Sequence, residues 1–235
     1  MKVDWPSWEE CLAAVREPCD PPRLSFTAEE RRLVRRLDSP ARVQAWLNGL
    51  PYNWERGGLT MRTFRGVVRE GTAHCLEAVL AAATILEQHG YPPVFLDLDS
   101  KDGLGHVLLL ERRSGRFGTV ARSRDPGLHG RKPVYRNLRT LVQSYVAPYI
   151  DATGCVTGYG LLDLRRLPRK DWRLAPGNVW YVEQALLDPA RPGFRRLRVP
   201  RPYYQAWHGK YMRFLKNHPD RKPTFYPTRA TWRWR

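Results

Sequence analysis

Gly71-Thr72-Ala73-His74-Cys75-Leu76-Glu77-Ala78 runs into an alanine-rich apolar stretch that closes on Gln88-His89-Gly90-Tyr91-Pro92-Pro93, and its reading decides the fold. The pattern predicts a helix whose first turn lies near Cys75. Gly90 is its expected C-cap, because glycine adopts the left-handed conformation freely and the prolines beyond it cannot continue a helix. A cysteine in a first turn faces unpaired backbone N–H groups and the positive end of the helix dipole, which favour the nucleophilic thiolate. Elsewhere in an alanine-rich helix a cysteine is ordinary core filling. The residues downstream of the helix separate the two readings.

Gly105-His106 opens the apolar run Val107-Leu108-Leu109-Leu110, which sets a histidine at the edge of a strand. A thiol nucleophile needs such a base. Beyond it the sequence predicts a second strand across a Ser114-Gly115 turn. If Arg113 and Arg116 flank that turn, His106 falls opposite Ser123, with Ala121 and Asp125 as diagonal neighbours about 7–8 Å away. Asp125 is the acid expected to orient the imidazole; Ser123 is the alternative orienting residue. His74 is expected about 100° around the helix from Cys75 and hence off the site. His129 is a second candidate base.

This order resembles the transglutaminase-like superfamily, in which a cysteine helix ending in Gly-aromatic-Pro is followed by a strand, a strand-edge histidine and an aspartate. Gly71 through Cys75, Ala78, Leu80, Leu86, Gly90-Tyr91-Pro92 and His106 carry the resemblance, which covers roughly residues 27 to 150. It implies a papain-like α+β fold with helices packed on an antiparallel sheet. It also implies a cysteine enzyme acting on an amide or peptide bond, by hydrolysis or acyl transfer, with Cys75, His106 and Asp125 as catalytic residues and no cofactor or metal. The family's second oxyanion donor comes from upstream, here the Tyr52-Asn53-Trp54 loop. The chain departs from the pattern at the third member: the superfamily's acid would lie near residues 121 to 123, which here are Ala121, Arg122 and Ser123. That departure keeps open an alternative, a catalytically inactive relative that serves as a basic nucleic-acid or polyanion-binding module.

The surrounding sequence supplies the rest of such a domain. Thr27-Ala28-Glu29-Glu30 is a capping box that opens a helix through Leu37, and Ser39-Pro40 starts another that stops at Gly49. Strands are expected at Val94 to Leu98, His106 to Arg112 and Phe117 to Ser123, then a helix from Asn137. Val179 to Leu187 reads as a strand and Arg191 to Pro202 as a loop. Three segments result: residues 1–26, a domain at 27–150 and a basic extension at 151–235.

Charge divides the chain more sharply than hydropathy does. The net charge of +17 arises from 13 Lys or Arg against 15 Asp or Glu in residues 1–110, and 27 against 8 thereafter. Such asymmetry suggests a polyanionic partner, nucleic acid included, beside the peptide or protein amide substrate; a solvated arginine-rich surface is the plain alternative. Residues 201–235 carry nine basic and nine aromatic side chains, a mixture that can neutralise phosphates and stack bases or fold back over the domain. No run approaches the roughly 20 apolar residues of a membrane span, and Met1-Lys2-Val3-Asp4-Trp5 lacks the apolar segment of a signal peptide, so a cytoplasmic protein with no membrane partner is expected. Cys11, Cys19, Cys75 and Cys155 form no Cys-x-x-Cys pair, which argues against a zinc site or a disulfide framework.

Overall fold

A computed structural model describes residues 5–167, 171–188 and 193–217. These residues form an α+β structure of eight α-helices and one six-stranded antiparallel sheet. The helices are α1 (Trp8–Ala14), α2 (Ala28–Arg36), α3 (Pro40–Gly49), α4 (Phe64–Glu70), α5 (Cys75–Glu87), α6 (Leu138–Tyr149), α7 (Trp180–Leu187) and α8 (Arg201–Asn217). The strands are β1 (Val94–Ser100), β2 (His106–Arg113), β3 (Arg116–Val120), β4 (Arg131–Tyr135), β5 (Val156–Asp163) and β6 (Arg195–Arg196), in the order β4-β3-β2-β1-β5-β6.

Helix α5 is the hub. Every residue after Cys75 is buried through Glu87, and the alanines let α3, α4 and β2 approach its surface closely. The capping box at Thr27 forms in both directions, with the Glu30 amide donating to Thr27 Oγ1 at 3.2 Å and the Thr27 amide to the Glu30 carboxylate at 2.8 Å. Pro40 occupies the first turn of α3, and Asn137 caps α6 by accepting from the Thr140 amide at 2.9 Å. Gly90 takes φ +81° two residues beyond the C-cap Gln88.

The β2–β3 hairpin has the expected register, from Arg113 opposite Arg116 back to Leu109 opposite Val120. There the ladder stops, so residues 121–125 leave the sheet instead of extending β3 to Ser123. Val179 to Leu187 is a correction: the segment is helical from Trp180, not a strand. Its Trp-Tyr-Val start favours a strand locally, but Val182, Ala185 and Leu186 are buried at helical spacing and the Val179 amide is bonded to the Met61 carbonyl at 2.8 Å. The expected loop at 191–202 holds β6 and the start of α8, with residues 191 and 192 outside the described residues.

Strand β5 pairs with β1 along its whole length, and α1 packs on it. Part of what composition set apart as an extension is therefore an inner strand of the sheet. Gly158 is required there, since a Cβ would lie 2.3 Å from the Phe194 ring where β6 pairs alongside.

One buried acid makes the fold pH-sensitive. Glu111 on β2 is 7% exposed, and burial pushes its carboxyl up to about 7, with Arg113 opposing only in part. Between the ordinary glutamate value and 7 the folded protein holds a proton the unfolded chain has released, so this group's contribution falls as pH rises through that window. Glu111→Gln is expected to remain folded and to be more stable than the parent by about 3 kcal/mol at pH 8, with the difference vanishing near pH 4. Urea unfolding at the two pH values checks it; an equal difference at both would exclude a protonated Glu111.

Candidate active site

Cys75 is the first residue of α5, and the chain enters the helix through an extended His74 at the N-cap. The entry is clamped from both sides. The Asn53 amide donates to the Ala73 carbonyl at 3.1 Å and the Ala73 amide to the Pro51 carbonyl at 3.3 Å, which lays residues 51–53 alongside the start of α5. Beneath it, the fully buried Glu77 accepts from Arg62 Nε at 2.7 Å, Arg62 Nη2 at 2.7 Å, Thr60 Oγ1 at 2.8 Å and Asn53 Nδ2 at 3.1 Å. Burial would raise this carboxyl, but the Arg62 hydrogen bonds, the His74 charge and the Asn53 amide together hold it down to about 2. One residue of the helix thus ties down the whole 53–62 loop.

His106 is the first residue of β2, opposite Leu98, and is nearly buried. Its Nε2 donates to the Leu128 carbonyl at 2.7 Å. That bond fixes the tautomer and leaves Nδ1 as the nitrogen available to Cys75, whose thiol His106 lowers. Cys75 and His106 are therefore brought together.

Asp125 and Ser123 lie one step behind this pair. The Asp125 Oδ1 accepts from the Gly127 amide at 2.9 Å and its carbonyl from the Leu128 amide at 2.9 Å, so the fully buried Asp125 builds the short 3₁₀ turn Pro126–Leu128 that aims the Leu128 carbonyl at His106. Ser123 Oγ accepts from the Asp125 amide at 3.2 Å. The far ring nitrogen of His106 thus meets a backbone carbonyl that no residue type could have announced. His129 sits behind the turn with Nε2 3.0 Å from the Ser123 carbonyl and 2.8 Å from Arg122; burial and the neighbouring Arg122 hold it down to about 4, and it is not among the residues lining the Cys75 cleft.

His74 is the functional candidate that sequence reasoning missed. It precedes the helix, so helical spacing does not govern its direction, and its ring folds back over the first turn. Nε2 donates to the Thr60 carbonyl at 2.9 Å, which leaves Nδ1 3.2 Å from the Leu76 amide on the side of the neighbouring Cys75. When neutral, Nδ1 accepts from Leu76 and caps the helix; when protonated, it donates to sulfur. Burial alone would lower this imidazole, but the thiol beside it and the Glu77 carboxylate raise it. The signal available in the sequence was a polar residue at the N-cap position before an apolar helix.

These contacts set the state of the Cys75 thiol. Burial would raise the Cys75 thiol, yet hydrogen bonds and charge from His106 and His74 outweigh it and bring it down to about 5. Burial pushes Cys19 and Cys155 the other way. Cys75 opens into a cleft of about 480 Å³ walled by the 52–61 loop, the 103–105 loop and α7. Trp54, Leu59, Leu104 and Leu187, all exposed large apolar side chains, line it, an arrangement suited to gripping an apolar ligand. Arg124 lies over the Tyr52 and Trp54 rings at 5.6 and 5.7 Å.

Among the described residues no cluster of His, Cys, Asp or Glu is arranged to hold a metal ion, and no helix is long and apolar enough to cross a membrane. Compared with models of known families and with curated proteins, the chain matches none.

Proposed function

We propose that the chain is a transglutaminase-like cysteine enzyme that cleaves or transfers an amide or peptide acyl group. The observation that carries this reading is a helix-first cysteine that opens into a cleft and is stabilised by an imidazole whose Nε2 is already committed to a carbonyl. In this mechanism Cys75 attacks as the thiolate and His106 carries the proton that the leaving amine takes. The sulfur attacks the substrate carbonyl, and the oxyanion forms beside the Cys75 amide, which as a first-turn N–H has no partner within the helix. Collapse breaks the C–N bond, and His106 Nδ1–H gives its proton to the departing amine, leaving a thioester. His106, now neutral, takes a proton from water or from an incoming amine as that nucleophile attacks. The acyl group leaves as acid or as a new amide, and thiolate and imidazolium return. The Asn53 backbone amide is already bonded to the Ala73 carbonyl at 3.1 Å and is not free to serve as a second oxyanion donor.

The Leu128 carbonyl takes the place of a carboxylate in fixing the tautomer. It holds the ring but adds no full negative charge, and His74 supplies the compensating electrostatics by stabilising the thiolate instead.

Iodoacetamide alkylation, followed by mass spectrometry at each cysteine, tests the pair. Cys75 should react rapidly down to about pH 5–6, while the buried thiols stay slow. His106→Ala is expected to move the profile up towards the ordinary cysteine value of about 8.5. His74→Asn retains a good N-cap and so keeps the helix, but removes the His74 charge beside the thiol and should move the profile part of the way. A Cys75 no faster than Cys19 at pH 6 would refute the enzyme reading.

A further inference from the structure

A basic surface lies on the last described elements. Between Gly193 and Asn217 the chain has no acidic residue, while Arg195, Arg196, Arg198, Arg201, Lys210, Arg213 and Lys216 are all exposed. Arg195 reaches Glu9 at 3.5 Å and covers the Trp8 ring, and Lys210 lies 4.3 Å from the Trp207 ring; the other five cations are exposed. The run is held in place. The Leu197 amide donates to the Thr157 carbonyl at 2.8 Å and the Tyr204 amide to the Pro200 carbonyl at 3.0 Å, so the ridge follows the sheet edge and turns into α8.

Beside it lies a groove of about 360 Å³ between α6 and the 197–203 segment, with Val146, Leu197, Val199 and Pro200 on its walls and Arg198 and Tyr203 at its lip. Tyr203 is 42% exposed, as is Phe194 at the other end of the ridge. A small apolar slot with an exposed ring and a guanidinium suits a planar base joined to a phosphate. A lipid surface fits less well, because Tyr204, Trp207 and Tyr211 on α8 are turned towards the body of the protein, which leaves no apolar stripe to enter a bilayer. We propose that this ridge binds single-stranded nucleic acid, with a base seated against Tyr203 and phosphates on Arg196, Arg198, Arg201 and Arg213.

The proposal is independent of the cysteine chemistry. Arginine outnumbers lysine among the exposed cations, as suits planar, two-pronged contact with phosphate. Lys101, just before the 103–105 wall of the Cys75 cleft, lies 5.9 Å from the Tyr204 ring, so the ridge abuts the loop that forms the rim of that cleft.

Fluorescence anisotropy of the full chain with a labelled single-stranded oligonucleotide is the test. Log affinity should fall linearly with log salt, with a slope near −0.7 for each phosphate contacted. Arg198→Gln and Arg201→Gln should each reduce the slope by about 0.7, and Tyr203→Ala should weaken binding about tenfold with the slope unchanged. Unaltered alkylation of Cys75 in each variant shows that the fold survives. No binding at low salt would overturn the proposal. So would a silent Tyr203→Ala combined with equal competition by duplex, heparin or anionic vesicles, which would mark a general polyanion surface.

Discussion

Cys75→Ala and His106→Ala, made separately, should each lower turnover of a responsive amide substrate by about 10⁴–10⁶-fold, and the double variant should be scarcely worse than either. The reason is that the two residues act as one unit. Without Cys75 there is no sulfur to form the thioester; without the His106 Nδ1 contact the thiolate loses its first stabilising partner and the leaving amine its proton source. Neither survivor has a separate route to accelerate. Amine release across a panel of amides with bulky apolar acyl groups, chosen for the Trp54, Leu59, Leu104 and Leu187 lining, is the measurement. Two independent, multiplying losses would mean that the residues do not share a step. Activity retained in Cys75→Ala would remove the thiol from the chemistry altogether.

The largest stability effect is expected at Glu77. Its side chain is fully buried, accepts from Arg62 through both carboxylate oxygens, and takes further bonds from Thr60, Asn53 and the His74 amide. Glu77→Gln keeps the shape but removes the charge, leaving the mostly buried Arg62 guanidinium without its counter-ion. Losing one member of such a pair costs about 3–5 kcal/mol. The same interaction has a pH signature. Folding lowers this carboxyl to about 2, so its contribution is complete above the unfolded glutamate value and is lost as pH falls towards 2. Between those limits about 3 kcal/mol should disappear from the parent and much less from Glu77→Gln. Urea unfolding from pH 6 down to pH 2 gives both numbers. A variant within 1 kcal/mol of the parent at pH 6 would show the network to be incidental. Because Glu77 also anchors the loop that carries Trp54 and Leu59, the variant should lose cleft geometry and Cys75 reactivity before it loses the global fold.

Both effects arise where local signals meet long-range packing. Helix α5, the capping box at Thr27 and the β2–β3 register were all legible, because each rests on groups within a few residues of one another: caps, 3.6-residue spacing, a two-residue turn. The juxtaposition of Cys75 with a strand-edge histidine was legible at one remove, through the order of elements.

The inner strand β5 was not, because Gly158 and Gly160 erase the alternating pattern, and the reason for Gly158 lies in Phe194 and β6 pairing from far along the chain. Val179 to Leu187 misleads for the opposite reason: a local strand preference is overridden by burial on a helical face. His74 escapes helical geometry because it stands just outside the helix, where an extended backbone sends the ring over the first turn. The partner of His106 could not have been read at all. Every residue carries a carbonyl, and only the turn built by Asp125 selects the one at Leu128. The sequence determined that a cysteine would begin a buried helix and that a histidine would begin a strand. The tertiary structure decided which atoms hold that histidine and which second imidazole faces the sulfur, because those contacts join segments that local periodicity cannot connect.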